Sequence, residues 1–384
     1  MKIKVSNIDE TEYVYTTRSL KIKLREKIIE SPLRVLTNSE LRAKSNIPTE
    51  IPLESEIAFI MRKLDKKEIL EFMKENKKFS NVLEYLEGYR LRMQHSDIIF
   101  SAIQPTKTAL EVINHDESLV SQFVRMSIRA QQMAGFETIT IPWVGVGVRK
   151  SIEIYNDIEK NLENELVFFV DVSNPYGLEE IVNYFRELNE IGRINFVGVI
   201  YGSPRKNWPS YDILWRNLKD ADIAVIVADT ERYENLRHLS GLHLQEFIFG
   251  DIFALETKKV YKGRKEEKDV GRLLKFFNRS NLQVLPIGDT GSDVVEDVVK
   301  EFSDDEKIKT ALENYEEAKR DDDKLSVLLS ISKVHEFLTS RDEFDISREY
   351  IDKSETKDYI EEKETLNEFL KRIKGQKKLL TPSS

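Results

Sequence analysis

Near-continuous apolar runs, separated by stretches of helical periodicity, organise most of this chain. Eight such runs stand out: Leu33–Thr37, Asp97–Ala102, Thr138–Trp143, Leu166–Val172, Asn195–Tyr201, Ala221–Ala228, Gln245–Gly250 and Leu282–Gly288. Runs such as LVFFVDV, NFVGVIY and ADIAVIVA do not alternate apolar with polar residues, so the strands they predict must be covered on both faces. Helices packed outside a parallel sheet supply that cover. Helical patterns follow at 118–134, 149–162, 177–191, 209–219, 269–278 and 292–302, with a weaker one at 233–240. Eight alternations predict an α/β fold of the (β/α)8 TIM-like barrel type, whose functional side chains issue from the carboxyl ends of the strands.

The segments outside that rhythm read differently. Leu20, Ile22 and Leu24 alternate with Lys21, Lys23 and Arg25, the period of a half-buried strand. They predict an N-terminal β-rich preface over 1–30, placed to cover the bottom of a barrel spanning 31–302. Ile57, Ile60, Met61 and Leu64 fall at helical spacing, so the long interval after the first run reads as a helical insertion at about 54–93. Beyond Ser303 the chain becomes a charged, α-helical C-terminal appendage, 303–384. Its stripe of Val327, Ile331, Val334 and Leu338 needs a partner, either the barrel's side or another chain.

Composition narrows the function classes. The 384 residues are 40% hydrophobic and 33% charged, with a formal net charge of −9. That balance describes a soluble protein with no global attraction to nucleic acid or to an anionic membrane. No run is long enough to span a bilayer, and the N-terminus has no signal-peptide pattern, so a cytoplasmic setting is expected. The absence of cysteine excludes disulfides, thiolate catalysis and Cys-ligated zinc. The sequence identifies no metal ligands and no cofactor motif, and Mg²⁺ enters only with the alternative enzyme class, a lyase or hydrolase.

Candidate chemistry gathers at the predicted carboxyl-end rim. Asp171, Asp229, Asp251 and Asp289 fall at the carboxyl ends of runs, Asp171 still inside its own. Converging carboxylates can act as general bases, nucleophiles, base-edge acceptors or metal ligands, and equally as helix caps or turn residues. Asn38, Gln104, Asn174, Tyr201, Ser203 and Trp143 share that rim, with Arg205 close by. Planar amides beside aromatic rings suit a flat, hydrogen-bonding ligand such as a nucleobase. After the seventh run, Lys258, Lys259, Lys262, Arg264 and Lys265 crowd round Tyr261, a pattern fit to track phosphates or simply to keep a turn solvated.

The order of elements resembles the tRNA-guanine transglycosylase superfamily, the queuine and archaeosine tRNA-ribosyltransferases. VGVIYGSP at 197–204 is similar to that family's VG-[IV]-[VF]-QGG segment, and FVDVSNP at 169–175 occupies the place of its base-reading aspartate. FIFGD at 247–251 and LSVLLSISKVHEFL at 325–338 resemble its LMGVG segment and its C-terminal helix. The resemblance implies that Asp171 reads a purine edge and that Asp289 falls near the nucleophile's place, with tRNA as partner. Here the family's DSGGFQ segment reads FSAIQPT, which keeps Gln104 but has no aspartate, and the zinc site is missing. Those departures imply a divergent member, with Asp289 and Asp229 as its catalytic carboxylates, or a non-catalytic partner subunit. Two other classes fit the residues: a Mg²⁺-dependent small-molecule lyase or hydrolase using the aspartates, and a structural barrel that forms homo-oligomers through its C-terminal helices.

Overall fold

A computed structural model describes residues 1–384 apart from 11–15, 48–50, 75–76, 174, 201–203, 229–238, 256–274, 287–305, 307–320 and 381–384. Three antiparallel strands open the chain, β1 (Lys2–Glu10), β2 (Thr16–Leu24) and β3 (Lys27–Ser31). Next, β4 (Leu33–Arg34) and β5 (Leu36–Thr37) form one extended stretch interrupted at Val35. Helix α1 (Asn38–Lys44) follows, started by a capping box in which Thr37 and Glu40 satisfy each other's backbone N–H groups. Strand β6 (Ile57–Leu64) leads to α2 (Lys66–Met73), capped the same way by Asp65 and Glu68, and to α3 (Lys77–Arg92).

The alternation then becomes regular. Its strands are β7 (Ile98–Pro105), β8 (Thr138–Ile141), β9 (Glu165–Asp171), β10 (Ile194–Ile200), β11 (Ala224–Ala228) and β12 (Ile252–Ala254). Between them lie α4 (Lys107–Ile113), α5 (Glu117–Met133), α6 (Val148–Asn161), α7 (Leu178–Glu190), α8 (Pro204–Leu218) and α9 (Gly241–Glu246). A hairpin of β13 (Lys275–Asn278) and β14 (Gln283–Pro286) and the helices α10 (Asp321–Asp352), α11 (Thr356–Glu362) and α12 (Glu364–Leu380) follow among the described residues.

The result is a mixed α/β protein built on parallel strands. One parallel sheet runs β4-β12-β11-β10-β9-β8, another β5-β6-β7, and the shared stretch 33–37 joins them. No ladder pairs β7 with β8. Instead the buried amide of Gln131 on α5 bonds the Thr140 backbone and the Ser101 hydroxyl, while the Thr140 hydroxyl donates to the Ser101 carbonyl.

Side-chain parity divides the core. Odd-numbered residues of β9 (Val167, Phe169) share one cluster with Phe59, Phe100, Phe196 and Ile226, while Leu166, Phe168 and Val170 pack under the helices. On the first, inner face, rings from strands that are not neighbours meet. Phe100 of β7 lies 4.9 Å from Phe196 of β10, and Phe59 of β6 lies 6.1 Å from Phe169 of β9. Ile3, Leu20, Ile22 and Ile29 of the antiparallel sheet join this cluster beside Leu33, Ile57, Ile98 and Ile252, so that sheet covers the amino ends of the strands.

Three expectations need correction. Ile57–Leu64 is strand β6, not part of a helical insertion; a short apolar run fits both periods, and IAFIM is buried on both faces as only a central strand is. Gln245–Gly250 is no strand. It ends α9 and turns, its phenylalanines packing under the neighbouring helices, and the strand lies further on at Ile252–Ala254. Leu282–Gly288 supplies β14, which pairs antiparallel with β13 rather than joining the parallel run. Leu282, in the left-handed region at φ 55°, belongs to the turn that folds this hairpin back, and Lys275–Asn278 is therefore strand rather than helix.

Candidate functional site

The carboxyl ends of β5, β6, β7, β8 and β9 fix the part of the rim that the structure describes. Gln104 is the penultimate residue of β7 and has the parity of Phe100 and Ala102, so its side chain belongs to the inner face. It is 1% exposed, yet among the described residues neither its Oε1 nor its Nε2 has a hydrogen-bond partner. An amide buried in that state forfeits the hydrogen bonds that its oxygen and its nitrogen made with water, a cost of about 1–3 kcal/mol per group. Lys63 on β6 is its register partner and shares its inward parity, so the two side chains stand next to each other at one strand end. Trp143, two residues past β8, is half-buried against the inner cluster.

Asp171 ends β9 with the parity of Val167 and Phe169, and it is half-buried. Its carboxylate accepts the Ser173 N–H at 2.6 Å and the Ser173 hydroxyl at 2.7 Å, which turns the chain after the strand. Arg205 lies in α8. Asn174, Tyr201, Ser203, Asp229, Asp289 and the cluster Lys258, Lys259, Lys262, Arg264 and Lys265 lie outside the described residues. Of the expected site, the structure therefore brings Gln104 and Asp171 to the same face and end of the strands, with Trp143 beside the inner core. Lys63 was hidden by the helical reading of 54–64; strand parity counted from Phe59 and Met61 was the signal for it.

Two other rim candidates have structural roles. Asn38 is buried at the start of α1, where its amide donates to the Tyr85 hydroxyl and its Oδ1 accepts the Met61 N–H at 3.3 Å. Asp251 lies at the amino end of β12, opposite to the expected rim, because the strand begins only at Ile252. There it meets Arg18 of β2 in a bidentate pair at 2.9 and 2.7 Å and accepts the Val225 N–H as well. Arg18 spends its remaining donors on the carbonyls of Leu218, Lys219, Ala221 and Ile223.

A second set of titratable groups is buried between α9, α10, α11 and β13. His243 stacks between Phe277 and Phe344, with ring centroids at 5.1 and 4.4 Å, and its Nδ1 is 3.4 Å from Glu246 Oε2. Burial first, and then Arg34 and Lys363, push the His243 pKa well below its ordinary value. Burial pushes Glu246 well above the carboxylate range, opposed by a hydrogen bond from Ser347. Each shift favours the neutral form of its group. Glu343 next to them is engaged by Arg279 at 2.6 Å, Lys363 at 2.8 Å and the Tyr359 hydroxyl at 2.7 Å. This network ties the C-terminal helices to α9. Among the described residues no three His, Asp or Glu side chains are placed to hold a metal ion, and no helix is long and apolar enough to cross a membrane.

No protein-family model matches the chain, and no curated protein matches it in sequence. Among solved structures, the biosynthetic arginine decarboxylase of Campylobacter jejuni aligns with 12% identity over 78% of this chain and 57% of that chain, at a TM-score of 0.27.

Proposed function

We propose that the parallel strands close into a (β/α)8 barrel whose carboxyl-end mouth seats a nucleobase of tRNA or another nucleic acid. This is the role implied by the resemblance to the tRNA-guanine transglycosylase superfamily. The observation that carries it is the Gln104 amide, 1% exposed and, among the described residues, unbonded at both its donor and its acceptor. A base edge offers an adjacent donor and acceptor and satisfies both amide groups at once. Trp143 adds an aromatic surface for stacking at the same end of the strands. Closure is supported by ring pairs across the inner face, such as Phe100 with Phe196, and by the Gln131 bridge between β7 and β8. In this reading Asp171 reads the base, Lys258, Lys259, Lys262, Arg264 and Lys265 follow the phosphates, and Asp229 and Asp289 are the carboxylates available to catalysis.

The test is tRNA binding measured across salt concentrations. Changing the five basic residues to alanine should flatten the dependence of log K on log[salt] by several units, because each phosphate contact releases about one counterion. Gln104→Leu and Asp171→Asn should leave that slope intact and remove discrimination between bases. Absence of binding at about 50 mM salt overturns the proposal. If Asp229→Asn and Asp289→Asn preserve base modification in a cell extract, the chain acts as a non-catalytic subunit.

A further inference from the structure

The helical flank carries a groove remote in character from the strand ends. It lies between α6, α7 and α8, has a volume of about 730 Å³, and draws its apolar lining from Ile152, Pro175, Tyr176, Tyr184 and Ile213. Every charged residue that lines it is acidic: Glu179, Glu180 and Glu187. All three are exposed, and among the described residues no cation engages them. Tyr176 is 87% exposed, and the Tyr184 hydroxyl is buried without a hydrogen-bond partner among the described residues. The Tyr184 phenol is pushed up to about 12 by burial and then by Glu159 and Glu187, as expected where the local field is negative.

The groove is also preformed. Gly177, at φ +73°, lets α7 begin so close to α6 that a Cβ there would fall 2.0 Å from a methyl of Val148. Phosphate-bearing ligands are repelled by such a surface, which separates it from the nucleic-acid reading of the rim. Its complement is a cationic segment with apolar anchors. The sequence supplies one at 371–380, KRIKGQKKLL, with five cations, no acid, and Leu379-Leu380 at its end. This is the second half of α12, which packs on α11 and exposes Lys371 and Arg372.

We propose that the α6–α7–α8 groove receives the basic segment 371–380 of a second copy of this chain. The negative charge of the three glutamates complements the five positive charges of the segment, and its exposed Lys371 and Arg372 face the rings of Tyr176 and Tyr184. Each copy offers one groove and one segment, so the contact is head to tail and weakens with salt.

Sedimentation of the full-length protein tests this. The native chain should associate at low salt, and its association constant should fall at least about tenfold in the triple variant Glu179→Lys, Glu180→Lys, Glu187→Lys. A variant with Lys371, Arg372, Lys374, Lys377 and Lys378 all changed to Glu should lose association to the same degree. Mixing the two variants restores complementary charge at both contacts and should restore association. Circular dichroism establishes that each variant is folded. A native chain that stays monomeric at low salt overturns the proposal, as does association that survives both reversals or folded variants that fail to recombine.

Discussion

The side-chain amide of Gln131 accepts the backbone N–H of Thr140 at 2.9 Å and donates to its carbonyl at 2.8 Å. A side chain from α5 thus does for β8 what the backbone of a neighbouring strand does elsewhere in the sheet. Thr140 and Gln131 are both fully buried, so the two backbone groups have no water to fall back on.

Gln131→Leu should therefore destabilise the protein by about 2–4 kcal/mol, the cost of orphaning two buried backbone groups. Urea unfolding measures it. The amides of β8 should also exchange faster in the variant than those of β9, which keeps its ladder to β10.

Breaking the Arg18–Asp251 pair should cost more. Asp251→Ala leaves a guanidinium buried and uncompensated, an effect of about 3–5 kcal/mol. Limited proteolysis should then cut within β1–β3 first, since Arg18 is the bolt holding that sheet against the loop before β11. Cleavage that begins elsewhere would count against this placement.

The buried His243–Glu246 pair makes opposite demands on pH. Glu246 has its folded pKa raised, so its contribution is fully present below its ordinary carboxyl value of 4.5 and is lost as pH rises through the folded value. His243 has its folded pKa lowered; its contribution is present above its ordinary value of 6.5 and is lost as pH falls through the folded value. Glu246→Gln mimics the neutral carboxyl. Its stability relative to the native protein should climb from pH 4.5 upward, by at most about 1.4 kcal/mol per unit, in urea titrations at several pH values. A flat difference would mean that Glu246 is ionised when folded.

Gly198 on β10 has no room for a side chain. A Cβ there would lie 2.4–2.5 Å from the ring of Phe169 on the neighbouring strand. Gly198→Ala should cost about 1–3 kcal/mol through overpacking. Adding Phe169→Leu should recover part of that loss, and a double-mutant cycle reads the coupling directly.

At the candidate site, stability and function should part company. Gln104→Leu removes a buried amide that has no partner among the described residues, so the variant should be as stable as the native protein or up to about 2 kcal/mol more stable. The same change should abolish base discrimination. Thermal unfolding and the binding assay report the two outcomes separately.

How much of this was legible in the chain depends on the length of each run. LVFFVDV and NFVGVIY are long enough and apolar enough that only a central strand accommodates them, and both are strands here. IAFIM was ambiguous because five apolar residues satisfy both the helical and the strand period, and only the neighbours β5 and β7 decide between them. Asp251 was misplaced for a different reason. The apolar FIF before it looks like a strand, but a partner 233 residues upstream sets its environment. The Gln104 site was visible as chemistry on a strand end. Its unsatisfied state was not, because that depends on what fails to approach it.

The opening strands are fastened by the far end of the chain. Asn7 donates to the Ile351 carbonyl, the Thr356 N–H donates to Asp9 at 2.9 Å, Thr17 meets Thr356 at 3.1 Å, and Ser19 donates to Asp352. On a ribosome these bonds wait for residue 356 to emerge. At about 5–20 residues per second the first strands spend on the order of 20–70 s without their partners. During that interval the edge of β1 is open to strangers. Chaperone capture or misassembly should concentrate there, and a nascent chain stalled short of α11 should expose β1 and β2 however well its parallel strands have folded.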